Sequence, residues 1–79
     1  MPHIHISHHP RNFTPQQLTD IDTALTEAVT RLFPADADAV SISLEPVTPE
    51  EWGTTVMPHL ADQQGRDQLL RTPGYWNGK

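Results

Sequence analysis

Two groups near the start of the chain are suited to act on one small molecule. The sequence opens MPHIHISHHPR, with a proline at position 2 and an arginine at position 11. An initiator methionine is removed when the next residue is small, and proline qualifies. Loss of Met1 would leave Pro2 as a free secondary amine, held rigidly by its ring and by the segment behind it. Water keeps such an amine mostly protonated at neutral pH. A dry pocket or a neighbouring cation disfavours the charged form and lowers its pKa. A neutral amine can take a proton from carbon and return it elsewhere, which is general acid–base catalysis. Charge that builds on oxygen, or a substrate carboxylate, then needs a cationic donor. The planar fork of Arg11 suits a carboxylate, and a tight turn after the first strand is expected to fold it back beside residue 2. An apolar wall must exclude water and hold a planar conjugated substrate. Trp52 is the candidate.

The histidines form a competing constellation. His3 and His5 alternate on one face of the first segment, with His8 and His9 close behind. Histidines spaced in this way can share a metal, and Glu45 on a neighbouring strand is the carboxylate that could approach them. The alternative to a proline-based enzyme is therefore a non-catalytic small-ligand or metal-binding dimer that uses the His3/His5 face. The expectation is that the chain holds no metal site. His59 beside Pro58 has no partner visible in the sequence, and Asp36 and Asp38 read as a solvated pair in an Asp-Ala loop.

These side chains need elements to position them. HIHISH (3–8) alternates, with Ile4 and Ile6 on one face and His3, His5 and Ser7 on the other, as a half-buried strand does. His9-Pro10-Arg11-Asn12 reads as a turn. Thr14-Pro15-Gln16-Gln17 combines an N-cap, a proline at the first helical position and a glutamine that completes a capping box. Leu18, Ile21, Leu25, Ala28, Val29 and Leu32 follow at helical spacing, which predicts an amphipathic helix over 15–33, stopped by Pro34. AVSISLEP (39–46) alternates again and predicts a second strand. Strand, long helix and strand make a βαβ unit with parallel strands joined by a right-handed crossover. A second capping signal at Thr48-Pro49-Glu50-Glu51 predicts a short helix over 49–54 that carries Trp52. A longer helix over 57–71 should follow, or one kinked run, and Thr72-Pro73-Gly74-Tyr75 should turn. The last few residues are expected on the surface or across a partner.

Composition narrows the class. The chain has 79 residues and no cysteine, which gives one domain, 1–79, as the expectation. A domain of this size buries only roughly 60% of its unfolded surface. With no disulfide or thiolate metal site to staple it, self-association is the natural remedy. Trp52, Tyr75 and Trp76 are expected at such a contact, where aromatics are enriched. The net charge is −5 with neutral histidines, and the cations (Arg11, Arg31, Arg66, Arg71, Lys79) are scattered. That argues against nucleic acid as a partner. No apolar run approaches a membrane span, and the start lacks the cationic and apolar segments of a signal peptide. A cytoplasmic protein is expected.

In order along the chain, MPHIHI, Pro10-Arg11, the long helix, AVSISLEPV, Pro49-Glu50-Glu51-Trp52 and Pro73-Gly74-Tyr75 resemble the 4-oxalocrotonate tautomerase family of the tautomerase superfamily. The similarity is strongest to its short bacterial members of the PptA type and covers nearly the whole length. It implies an α/β (α+β) fold, the tautomerase/MIF-like fold. There, a βαβ unit plus a C-terminal helix has its sheet completed by oligomerisation, here as a homodimer. It also implies a cofactor-independent isomerase for keto–enol tautomerisation of small 2-oxo acids or their enols, phenylpyruvate-like compounds among them. Pro2 matches the proline base, Arg11 the carboxylate-binding arginine, and Trp52 the aromatic pocket wall. Larger hexameric members carry a second arginine in strand two where this chain has Ser41. That departure favours a monoacid substrate and the dimeric subgroup.

Overall fold

A computed structural model describes residues 1–76, and Lys79, among the cations named above, lies outside them. Five main elements follow one another: β1 (His3–His8), α1 (Pro15–Leu32), β2 (Ser41–Pro46), α2 (Pro49–Thr55) and α3 (Met57–Gly65). The chain divides into two compact units, Met1–Pro46 and Val47–Lys79.

The first unit is the βαβ unit. β1 and β2 pair in parallel as a two-stranded sheet, with Ile4 opposite Ile42, His5 opposite Ser43, Ile6 opposite Leu44 and Ser7 opposite Glu45. Because side chains alternate across a strand, this register sorts them into an apolar face (Ile4, Ile6, Ile42, Leu44) and a polar face. α1 starts where the capping box requires. The Gln17 amide donates to Thr14 Oγ1 at 3.1 Å, and the Thr14 amide donates to Gln17 Oε1 at 2.9 Å. Phe33 caps its other end, with its amide on the Val29 carbonyl, and Pro34 prevents continuation.

β2 begins two residues later than the predicted 39. Ala37–Ala39 wind instead into one 3₁₀ turn, with the Ala39 amide on the Asp36 carbonyl and the Val40 amide on that of Ala37. The apolar layer of this unit stays open. None of its side chains is fully buried, and Leu18, Leu32 and Phe33 are 45%, 68% and 60% exposed.

In the second unit Thr48 caps α2, accepting from the Glu51 amide at 3.3 Å. α2 and α3 meet at Val56, with no kinked single helix between them. Pro58 has no amide to give the Thr54 carbonyl, and its ring crowds that carbonyl, so the ladder is interrupted there. Val47 and Val56 are the buried apolar residues, 3% and 8% exposed. α3 stops at Gly65, well short of the predicted 71. Asp67 adopts φ 57°, the Gln68 amide bonds the Gln63 carbonyl, and the Asp67 amide bonds that of Gln64. That pair of bonds is a Schellman cap, here with aspartate in the left-handed position glycine usually fills. Leu70 consequently lies outside any helix and is fully exposed. The predicted turn at Pro73-Gly74-Tyr75 is present, closed by the Trp76 amide on the Pro73 carbonyl.

Candidate active site

Pro2 stands at the head of β1, where its carbonyl accepts the Ser41 amide at 3.1 Å. This bond fixes the proline to the start of β2, so the residue is seated by both strands. It borders a hollow of about 530 Å³ whose other walls are Met1, His3, Ile4, Val29, Phe33, Pro34 and Ala35. Apart from His3 the walls are apolar. Val29, Phe33, Pro34 and Ala35 come from the C-terminal end of α1 and the residues after it, which only the crossover brings to the strand's head. The surroundings of Pro2 are thus of the kind that disfavours a charged amine.

Arg11 is elsewhere. Residues 9–14 run without regular structure beyond the far end of β1, a strand that alone spans about 17 Å. Arg11 lines a second hollow of about 470 Å³, together with Ile6, His8, Phe13, Ile21 and Leu25 among others. The expected fold-back beside residue 2 does not occur. The alternating segment 3–8 stays extended to His8, and no tight turn reverses it. The two residues proposed to share a substrate occupy opposite ends of the same strand within one chain.

Trp52 lies on α2 in the second unit. Its indole Nε1 donates to the Tyr75 hydroxyl at 2.9 Å, tying the C-terminal turn to this helix. The polar handle of the indole is satisfied there, and its ring is half-buried.

The histidine face forms a hydrogen-bonded ladder on the polar side of the sheet. His3 Nδ1 bonds Ser41 Oγ at 2.6 Å and His5 Nδ1 bonds Ser43 Oγ at 2.6 Å. His5 Nε2 lies 3.1 Å from Glu45 Oε1, which also accepts from Ser7 Oγ at 3.0 Å. The hydrogen bonds from His5 and then Ser7 hold the Glu45 carboxyl below its ordinary value of 4.5, against a smaller opposing effect of burial. Glu45 is therefore ionised at neutral pH. His5 Nε2 must carry the proton that faces it, and Nδ1 accepts from Ser43 when the ring is neutral. The predicted approach of Glu45 to this face occurs, as a proton-sharing pair. Among the described residues no group of three or more His, Asp or Glu side chains is placed to hold a metal ion. No helix among them is long and apolar enough to cross a membrane.

Sequence reasoning missed the wall formed by Val29, Phe33, Pro34 and Ala35. Its one visible signal was Phe33, an aromatic placed beyond the last apolar position of α1. It also missed Phe13 beside Arg11, although an aromatic two residues from an arginine in a short loop invites a ring–guanidinium contact.

Residues 2–59 match the family model described as Tautomerase enzyme. The chain is 35% identical over 75 residues to Tautomerase PptA of Klebsiella pneumoniae subsp. pneumoniae, a match that covers 95% of this chain and 97% of that one. It is 32% identical over 75 residues to Tautomerase PptA of Escherichia coli O127:H6, and 30% identical over 80 residues to that of Pectobacterium atrosepticum, with the same coverage of both chains. With the parallel βαβ unit and the proline at its head, these matches give the conclusion that the chain belongs to the tautomerase family of enzymes.

Proposed function

We propose that the chain catalyses keto–enol tautomerisation of small 2-oxo acids, phenylpyruvate-like monoacids among them, with Pro2 as the general base after removal of Met1. The observation that carries this reading is the seat of Pro2: pinned through its carbonyl to β2, at the edge of a hollow walled by Ile4, Val29, Phe33, Pro34 and Ala35. Apolar surroundings of this kind disfavour the charged form of the freed amine and so lower its pKa. The amine then takes a proton from the enol oxygen, or from the carbon next to the carbonyl, and delivers it to the other atom. The C=C π bond of the enol gives way to the C=O π bond of the ketone, and the only σ bonds made or broken are those to hydrogen, so no net electron transfer occurs and the reaction needs no cofactor.

Arg11 serves as the carboxylate anchor. A single chain holds Arg11 and Pro2 at opposite ends of β1, so a complete site takes Pro2 from one protomer and Arg11 from its partner. The open apolar layer of the βαβ unit and the two-stranded sheet favour such a homodimer, since both leave surface that a lone chain does not cover. Trp52, its ring steadied by Tyr75, supplies apolar wall to the same site. The family match runs across 2–59, which supports reading 1–79 as one functional domain. A cytoplasmic enzyme fits the acidic composition. Ser41, tied to His3, offers no second cation, which favours monoacids over diacids.

The test is the conversion of enol-phenylpyruvate by the protein purified with and without Met1. Activity is expected only in the form that has lost it. Equal rates in both forms would remove Pro2 from the chemistry.

A further inference from the structure

The loop between β1 and α1 holds Arg11 in a specific way. Its guanidinium carbon lies 5.2 Å from the centroid of the Phe13 ring. His8 meets the same ring edge-on, with centroids 5.4 Å apart and planes at 75°. The His8 ring is itself fixed, since its Nδ1 donates to the His9 carbonyl at 2.8 Å. Phe13 is half-buried and lines the hollow with Ile6, Ile21 and Leu25. Asp20 borders that hollow too, but its Oδ1 accepts from Gln16 Nε2 at 2.8 Å, and among the described residues Arg11 forms no ion pair.

We propose that Phe13 is the positioning residue of Arg11: its face pre-orders the guanidinium on an otherwise irregular loop and leaves the edge of the fork free for a substrate carboxylate. This rests on the reading of Arg11 as the carboxylate anchor. An exposed arginine loses rotamer freedom when an anion captures it, and that loss weakens binding. A ring beneath the guanidinium removes part of the cost in advance. Stacking uses the face of the guanidinium and a carboxylate uses its edge, so the two contacts do not compete. His8 packs against the ring's edge, and Asp20, the carboxylate that borders the same hollow, bonds Gln16 and forms no ion pair with Arg11.

The test compares Phe13→Leu, Phe13→Trp, Arg11→Ala and the double variant Phe13→Leu/Arg11→Ala in phenylpyruvate tautomerisation, with KM and kcat separated. Phe13→Leu should raise KM about two- to fivefold with kcat nearly unchanged, and Phe13→Trp should stay within about twofold of the parent. In the Arg11→Ala background, Phe13→Leu should change KM no further. Pentafluorophenylalanine at position 13 keeps the ring's shape and reverses the charge on its face. It should raise KM as leucine does, and it keeps the test decisive if leucine unfolds the loop.

If pentafluorophenylalanine leaves KM at the parental value, the proposal is overturned. The same holds if Phe13→Leu raises KM equally with and without Arg11, while Arg11→Ala still weakens binding; then the anchor reading stands and Phe13 is only packing. If Arg11→Ala itself leaves KM unchanged, the anchor reading falls and takes the proposal with it.

Discussion

The two ends of β1 differ in their surroundings. At its head, Pro2 is fastened by a backbone hydrogen bond and walled by aliphatic and aromatic carbon. Beyond its tail, Arg11 stands on a loop without regular structure, steadied by one aromatic ring and bordered by His8 and Asp20. The contrast follows from what each group has to do. An amine that must stay neutral gains from dry surroundings, because desolvation disfavours its charged form. A guanidinium keeps its charge in any surroundings and needs only to be aimed. In the proposed mechanism, one strand therefore separates the proton-handling end from the anion-handling end. The proposed site unites them by placing the head of one protomer's strand against the tail of its partner's.

The largest effect should come from the head. Pro2→Ala keeps a cleavable methionine but loses the rigid secondary amine, and kcat for enol-phenylpyruvate should fall about a hundredfold or more. Steady-state kinetics at saturating substrate decides this, and a parental rate would end the general-base role.

At the tail, Arg11→Ala should act on binding. KM should rise about tenfold or more, as expected for loss of a charge-assisted hydrogen bond, with kcat changed much less. A variant with unchanged KM and a collapsed kcat would reverse the division between the two ends.

Phe33→Ala should sharpen the contrast with a smaller change. Opening the wall of the Pro2 hollow to water favours the protonated amine, so the acid limb of the kcat/KM profile should move to higher pH while the basic side stays in place. A profile that keeps its acid limb would show that Phe33 does not dry the amine.

The smallest effect belongs to the ladder that joins the strands between these ends. The Glu45 carboxyl is held below its ordinary value of 4.5, chiefly by the hydrogen bond from His5. A lowered folded-state value means that the carboxylate contributes stability above the unfolded value and loses it as pH falls through the folded one. The difference in Tm between the parent and Glu45→Gln should therefore be present at neutral pH and close as pH drops below about 4.5. A gap that is constant from neutral pH to pH 3 would contradict it.

The sequence was informative where local chemistry decides structure. The alternation of HIHISH, the cap at Thr14 and the prolines at 15, 34 and 49 mark β1, α1 and α2 almost to the residue, and the alternation of AVSISLEP marks the end of β2. The end of α3 was hidden because its left-handed cap falls on Asp67 and not on the glycine that usually marks such a stop. The start of β2 was hidden because Asp36-Ala37-Asp38-Ala39 satisfies its amides locally in a 3₁₀ turn. Pro2 and Arg11 could be picked out by type alone. Their separation could not, because it depends on β1 remaining extended to His8. The walls of the Pro2 hollow come from residues about thirty positions away, and no local pattern links Phe33 to Pro2.

The most direct measurement is the ¹⁵N signal of Pro2 followed through a pH titration of the purified enzyme. An amine signal, not an amide one, is expected. Its titration midpoint should lie below that of a proline amine in water and move up when Phe33 is replaced by alanine. A nitrogen that remains acylated, or that titrates as it does in a free peptide, would contradict it.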